Sequence, residues 1–114
     1  MMTCKRGDVY WVDFGTNVGY EQNGNRPAII VSNDICNKAS GTVTVVPLTS
    51  KKKTALPTHV IITSKDCEAL SSTSLALCEQ VRTIDKTRIG NKMGKISKSK
   101  MGSVTMALYE QLGI

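Results

Sequence analysis

The sequence predicts a mainly β fold: a small, strongly bent antiparallel barrel with one C-terminal α-helix. Short runs of β-branched and aromatic residues recur along most of the chain, divided by clusters of Gly, Asn, Pro and Lys, and the spacing changes to a helical one only at the end. At 114 residues, with 40% hydrophobic and 21% charged residues, the composition is that of one globular core, so residues 1–114 are expected to form a single domain.

Val9, Tyr10, Trp11, Val12 and Phe14 make the first strand, with Val9, Trp11 and Asp13 on one face and Tyr10, Val12 and Phe14 on the other. Both faces are partly apolar, so Tyr10, Trp11 and Phe14 are expected as core or dimer contacts. Residues 15–25 are rich in Gly and Asn and read as a long hairpin loop. Residues 27–32 then read as a buried strand. Further apolar or alternating runs cover residues 43–48, 59–63 and 74–84, separated by the basic turn Lys51-Lys52-Lys53 and by Pro57. A short helical turn is expected over 64–70, with Ser64 as its cap and Asp66 and Glu68 in its first turn. Met101, Val104, Thr105, Leu108 and Leu112 follow helical spacing; Ser97 or Ser99 can cap that helix and Gly113 can end it. The basic stretch 86–100 before it reads as a solvated approach or a second basic surface. Many short strands with one terminal helix point to an SH3-like barrel.

Charge and composition narrow the function. A net charge of +6, from 15 Lys and Arg against 9 Asp and Glu, favours a polyanionic partner such as nucleic acid, or an acidic protein. No stretch approaches the ~20 apolar residues of a membrane span, and no apolar run follows Lys5 and Arg6 as a secretion signal requires. A cytoplasmic protein is therefore expected, without a membrane partner. Cys4, Cys36, Cys67 and Cys78 form no CxxC pair and have only His59 as an imidazole co-ligand. Free thiols are expected and a zinc site is not.

With a single histidine inside an alternating strand, nucleophilic triads and paired-histidine acid–base chemistry are ruled out, and His59 is expected to be structural. The acids are scattered, with Asp8 and Asp13 on opposite strand faces, which does not suit a metal-dependent nuclease. Neither GxxxxGK[ST] nor GxGxxG occurs. The Arg6-Gly7-Asp8 triplet simply precedes a strand. No metal and no cofactor are predicted.

Two segments remain. In Glu21-Gln22-Asn23-Gly24-Asn25-Arg26-Pro27 an arginine without an adjacent acid stands where a polar loop enters a buried strand. Such a guanidinium either packs its stem beside Pro27 or holds a phosphate in bidentate fashion. In Pro47-Leu48-Thr49-Ser50-Lys51-Lys52-Lys53, hydroxyls at a strand end precede a run of lysines, which is either a solvated turn or an electrostatic rim for a phosphate backbone.

These residues belong to a series of blocks: Arg6-Gly7-Asp8-Val9-Tyr10-Trp11-Val12-Asp13, Glu21-Gln22 through Arg26-Pro27-Ala28-Ile29-Ile30-Val31, Val46-Pro47-Leu48-Thr49, Leu56-Pro57-Thr58-His59-Val60 and Glu79-Gln80-Val81-Arg82-Thr83-Ile84-Asp85-Lys86. In this order the chain resembles the MazF/PemK toxins of bacterial toxin–antitoxin pairs, which are sequence-specific endoribonucleases. After Lys95 the likeness is only generic. The resemblance implies a PemK/CcdB-like barrel, a homodimer, and metal-independent cleavage of single-stranded RNA that leaves 2',3'-cyclic phosphate and 5'-hydroxyl ends. An acidic cognate antitoxin is the implied protein partner. It places Arg26 and Thr49 at catalytic positions, with Glu21 as a further one. Gln80 becomes an RNA contact, and the position of Ser50, Lys51, Lys52 and Lys53 just after Thr49 suggests an RNA-binding rim beside it. An arginine with a pKa above ~12 stabilises charge but is a poor general base, so the base stays unassigned.

Two other readings compete. Related CcdB-type barrels poison DNA gyrase without catalysis, and convergence of Arg26 and Thr49 in one cleft separates that alternative from the nuclease. A plain nucleic-acid-binding barrel is disfavoured by the scarcity of aromatics, 4% of residues, for stacking on bases.

Overall fold

The fold was obtained as a computed structural model, which describes residues 3–51 and 55–114. Strand β1 (Asp8–Asp13) pairs antiparallel with β2 (Asn25–Ile30), which pairs with β3 (Thr42–Thr49). Between β2 and β3 lies a short helix, α1 (Asp34–Ala39). Beyond β3 come β4 (His59–Ile62), β5 (Ser74–Leu77), β6 (Arg82–Asp85), β7 (Ile89–Lys95) and helix α2 (Lys98–Leu112).

The strands form a 7-stranded sheet in the order β4-β5-β3-β2-β1-β7, with β6 as a branch on β3. One edge of β3 serves β2, whereas the other serves β6 through Thr42–Val45 and β5 through Leu48 and Thr49. A strand that changes partner along its length must bend, and this bend makes the sheet barrel-like. Among the described residues no ladder joins β7 to β4 or β6, so the sheet remains open.

Alternation along β1, β2 and β3 builds two apolar layers. Val9, Ile29, Val46 and Leu48 face α2, where Val104 and Ala107 meet them together with Ile62 and Cys78. Tyr10, Val12, Phe14, Ala28, Ile30, Val43 and Val45 face the other way, onto Ile84, Ile89 and Cys4. The central strands are covered on both sides, which explains their near-continuous apolar sequences. The Arg6-Gly7-Asp8 triplet is a turn that feeds β1. Gly7 takes a positive φ of 95°, its N–H donates to the Ile30 carbonyl at 2.8 Å, and the Asp8 carboxylate accepts from the Lys5 N–H at 3.0 Å. The Arg6 guanidinium clamps the Val31 carbonyl and, at 2.7 Å, the Thr105 hydroxyl of α2.

The hairpin loop, the strands within 27–32, 43–48 and 59–63, and the terminal helix match their sequence readings. Ser97 caps α2, its Oγ accepting from the Lys100 N–H at 3.4 Å, and Gly113 ends it with φ 69°. Four expectations change. Residues 89–95 of the supposed solvated approach form β7, a strand whose apolar pattern is broken by Gly90 and Gly94. Gly90 allows close packing, since a Cβ there would stand 3.4 Å from the Trp11 carbonyl oxygen. Helix α1 was not foreseen; its Asn33 cap accepts from the Cys36 N–H at 2.8 Å, but six residues are too few to show a period. The run 74–84 is two strands, interrupted by a 3₁₀ turn at Cys78–Gln80.

Over 64–70 the expected helical turn is a single one, closed by the Cys67 N–H donating to the Thr63 carbonyl at 3.1 Å, and Thr63 does the work expected of Ser64. The Asp66 carboxylate accepts from the Thr63 N–H at 2.9 Å and from the Thr63 hydroxyl at 3.1 Å, while the Ser97 hydroxyl donates to its other oxygen at 3.3 Å. The Thr63 N–H above all, then these hydroxyls and the charge of Lys100, holds the Asp66 carboxyl below its ordinary value. Because the folded pKa lies below the unfolded one, this stabilisation is complete above the ordinary carboxylate value of ~3.9 and is lost as the pH falls through the folded value. The gap in urea midpoint between wild type and Asp66→Asn is therefore expected to be widest near neutrality and to close on acidification. A gap that does not depend on pH would contradict this role.

Candidate active site

Arg26 lies near the start of β2 and Thr49 at the end of β3, brought together by the antiparallel pairing of the two strands. The pairing places Ala28 opposite Pro47, and alternation carries Arg26 and Thr49 to the same side as that pair. The Arg26 Nε donates to the Asn23 carbonyl at 2.8 Å, which fixes the guanidinium against the loop, and its Nη1 donates to Thr49 Oγ1 at 3.4 Å. Thr49 is 3% exposed, and its Oγ1 also accepts from the Lys51 N–H at 3.2 Å. With both acceptor positions of the hydroxyl used, its own proton is free to be donated elsewhere. Among the described residues no carboxylate pairs with Arg26. Among the described residues its Nη2 has no hydrogen-bond partner, and an anionic ligand can take that position.

The two side chains line a cleft of about 310 Å³, together with Trp11, Asn25, Pro27, Ser50, Ser71, Ser72 and Met93. Trp11, expected in the core or at a dimer contact, is 42% exposed and borders this cleft. The sequence carried a hint: Asp13, two positions on along the same strand face, marks that face as opening to solvent. Asn25, Ser71 and Ser72 were not singled out, because isolated polar loop residues give no pattern.

Glu21 and Gln80 are not in this cleft; both line a neighbouring cavity of about 500 Å³. Glu21 Oε1 accepts from the Val18 N–H at 2.8 Å, which closes a turn within the loop. Gln80 Nε2 donates to the Tyr20 carbonyl at 3.0 Å and ties the loop to the 3₁₀ turn. Ser50 and Lys51 are exposed beside Thr49. Lys52 and Lys53 lie outside the described residues.

His59 lies in β4, where its strand setting placed it. Its Nε2 is 2.9 Å from Glu79 Oε2, and the Thr58 hydroxyl donates to Glu79 Oε1 at 3.1 Å, which anchors the turn that carries Gln80. Cys4, Cys67 and Cys78 are buried thiols and Cys36 is exposed. Burial, and secondarily the charge of Glu79, pushes the Cys78 thiol up to about 12, so it carries no thiolate near neutral pH. Among the described residues no group of three or more His, Cys, Asp or Glu side chains could hold a metal ion. No helix of the described residues is long and apolar enough to cross a membrane.

Comparison with known proteins places this geometry in a family. The chain is 41% identical over 114 residues to Endoribonuclease EndoA of Bacillus subtilis (strain 168), a match covering 99% of this chain and 97% of that protein. Among solved structures, an endoribonuclease in complex with its cognate antitoxin from a mycobacterial species superposes with a TM-score of 0.78 at 30% identity, over 97% of this chain and 96% of that one. MazF (Form-I) from Deinococcus radiodurans shares the fold with a TM-score of 0.86 at 24% identity, over 100% of both chains. A family model described as PemK-like, MazF-like toxin of type II toxin-antitoxin system matches residues 5–112. The chain belongs to the PemK-like, MazF-like toxins of type II toxin–antitoxin systems.

Proposed function

We propose that this protein is an endoribonuclease toxin that cuts single-stranded RNA at specific sequences, and that Arg26 and Thr49 carry the chemistry. The observation behind this reading is their convergence in one cleft, Nη1 to Oγ1 at 3.4 Å, in a chain of this family. A non-catalytic gyrase poison has no use for such a pair, and the 41% identity to an endoribonuclease also favours the nuclease.

In the proposed step a ribose 2'-oxygen attacks the adjacent phosphorus. The new 2'-O–P bond forms as the P–O5' bond breaks, the 2'-hydroxyl proton passes to a base, and the departing 5'-oxygen takes up a proton. The products are a 2',3'-cyclic phosphate and a 5'-hydroxyl. Arg26 stabilises the charge that grows on the phosphoryl oxygens, and the Thr49 hydroxyl donates to one of them. Glu21, turned into the loop, orders the segment that positions Arg26. Trp11 gives the cleft a flat wall against which an unstacked base can lie. No step requires a metal ion.

The toxin acts as a homodimer of single-domain protomers in the cytoplasm, where its substrate is found. An acidic antitoxin neutralises it, as the complex of the mycobacterial endoribonuclease with its cognate antitoxin suggests. The net charge of +6 suits both RNA and such a partner. Purified protein incubated with a long single-stranded transcript in excess chelator is expected to give discrete fragments with 5'-hydroxyl ends. Cutting that stops on chelation and returns with magnesium would reject the mechanism.

A further inference from the structure

Of the asparagines in the chain only Asn23 is followed by a glycine, and the pair lies in the loop that sets Arg26. Asn23 and Gly24 are both exposed and lie outside the strands and helices. Gly24 has a φ of 72°, and a Cβ built on it would meet nothing within 4 Å, so that side of the loop is open to water. Without a Cβ at Gly24, nothing shields its amide nitrogen from the neighbouring asparagine side chain.

The hydrogen bonds around Asn23 favour attack at its Cγ. Its Oδ1 accepts from the Asn17 N–H at 2.6 Å, a donor aimed where negative charge grows as a tetrahedral intermediate forms. Asn17 is itself held in place, its Nδ2 donating to the Phe14 and Gln22 carbonyls at 2.9 Å and 2.6 Å. The nucleophile is restrained by one bond, from the Gly24 N–H to the Gly15 carbonyl at 2.9 Å. That bond sits at the loop end of the β1–β2 hairpin, where local opening is least costly. The fold therefore slows the attack without forbidding it.

We propose that Asn23-Gly24 is a self-modification site that retires the catalytic arginine. The Gly24 nitrogen attacks Asn23 Cγ and forms a succinimide ring; the Cγ–Nδ2 bond breaks, and Nδ2 leaves as ammonia with the proton given up by the Gly24 nitrogen. Water then opens the ring at one of its two carbonyl carbons. Opening at Cγ gives aspartate and restores the ordinary backbone. Opening at the backbone carbonyl carbon gives isoaspartate, in which the chain runs through Cβ and Cγ and the former backbone carbonyl becomes a free carboxylate. That carbonyl oxygen is the one that accepts from Arg26 Nε at 2.8 Å. A neutral anchor thus becomes an anion paired with the guanidinium, and it competes with the RNA phosphate for it. The methylene added to the chain also shifts the segment that positions Arg26. The proposal rests on the nuclease reading above and adds a limit to the lifetime of the active enzyme.

The test incubates the full-length protein at mildly alkaline pH and samples it over days. Peptide mapping by mass spectrometry separates asparagine, aspartate and isoaspartate at position 23, and single-turnover cleavage of a transcript is measured on the same samples. Conversion at position 23 is expected to outpace that at every other asparagine and to quicken as the pH rises, because the Gly24 nitrogen attacks after losing its proton. The fraction of the cleavage rate lost is expected to equal the isoaspartate fraction. Isoaspartyl methyltransferase with S-adenosylmethionine, which returns isoaspartate to aspartate, is expected to restore most of that loss. Asn23→Gln, whose longer side chain closes a ring far more slowly, is expected to hold its own starting rate through the same incubation.

If Asn23 stays intact in the folded protein while a synthetic peptide of residues 18–28 converts, the proposal is overturned. It is equally overturned if isoaspartate accumulates and cleavage does not fall, or if a folded Asn23→Gln protein loses activity at the wild-type pace. Fresh protein that cuts no RNA rejects the nuclease reading itself, whereas fresh protein that cuts and never converts at position 23 rejects the modification alone.

Discussion

Replacing Arg26 by Ala is expected to lower the single-turnover cleavage rate by roughly a hundredfold or more, the scale on which removing a donor aimed at developing charge acts. Thr49→Val is expected to do the same, since it keeps the shape and removes the hydroxyl. Each change also disturbs the other residue, because the Arg26 Nη1 donates to Thr49 Oγ1, so the losses of the double variant should fall well short of multiplying. Binding of an uncleavable RNA should weaken far less than the rate, because an interaction made mainly in the transition state adds little to ground-state affinity. Single-turnover cleavage, a binding titration and circular dichroism on the same preparations separate these effects. Folded variants that cut at nearly the wild-type rate would remove both residues from the site and reopen the gyrase-poison and passive-binder readings.

Phe14→Ala is expected to produce a large loss of stability, about 3–5 kcal/mol. The side chain is 1% exposed just past the end of β1, packed in the layer with Val12, Ala28 and Val45, and the Arg82 guanidinium lies over its ring. Small domains have only about 5–15 kcal/mol of net stability, so this truncation takes a substantial part of it. Urea denaturation followed by tryptophan fluorescence, which reports on Trp11, gives the measurement. A loss below about 1 kcal/mol would mean that the layer closes over the gap and that Phe14 is not the support described here.

By itself the sequence determined the strands whose residues carry a strong local signal. The tight run from Val9 to Phe14, the apolar block ending at Val31 and the alternation from Val43 to Leu48 each fix strand and face, because side chains with that periodicity have only one arrangement that buries them. The Ser97 cap, the spacing through Leu112 and Gly113 fixed α2 in the same way. Arg26 and Thr49 also stood out as candidates, as an unpaired arginine at a loop–strand junction and a hydroxyl at a strand end within blocks that resemble a known family, and the fold brings them to 3.4 Å.

The rest depended on contacts between distant segments. β7 has little strand signal of its own and forms because β1 has a free edge to offer. Glu21 and Gln80 lie apart from Arg26 and Thr49, Glu21 held by a loop hydrogen bond from Val18 and Gln80 by one to Tyr20, which no spacing encodes. Trp11 is 42% exposed against the cleft, a position that the apolar run around it does not distinguish from a core one. The Gln22 Oε1, buried without a hydrogen-bond partner among the described residues, is likewise a property of the folded loop: whether a polar atom finds a donor depends on everything packed around it, and only the tertiary structure decides that.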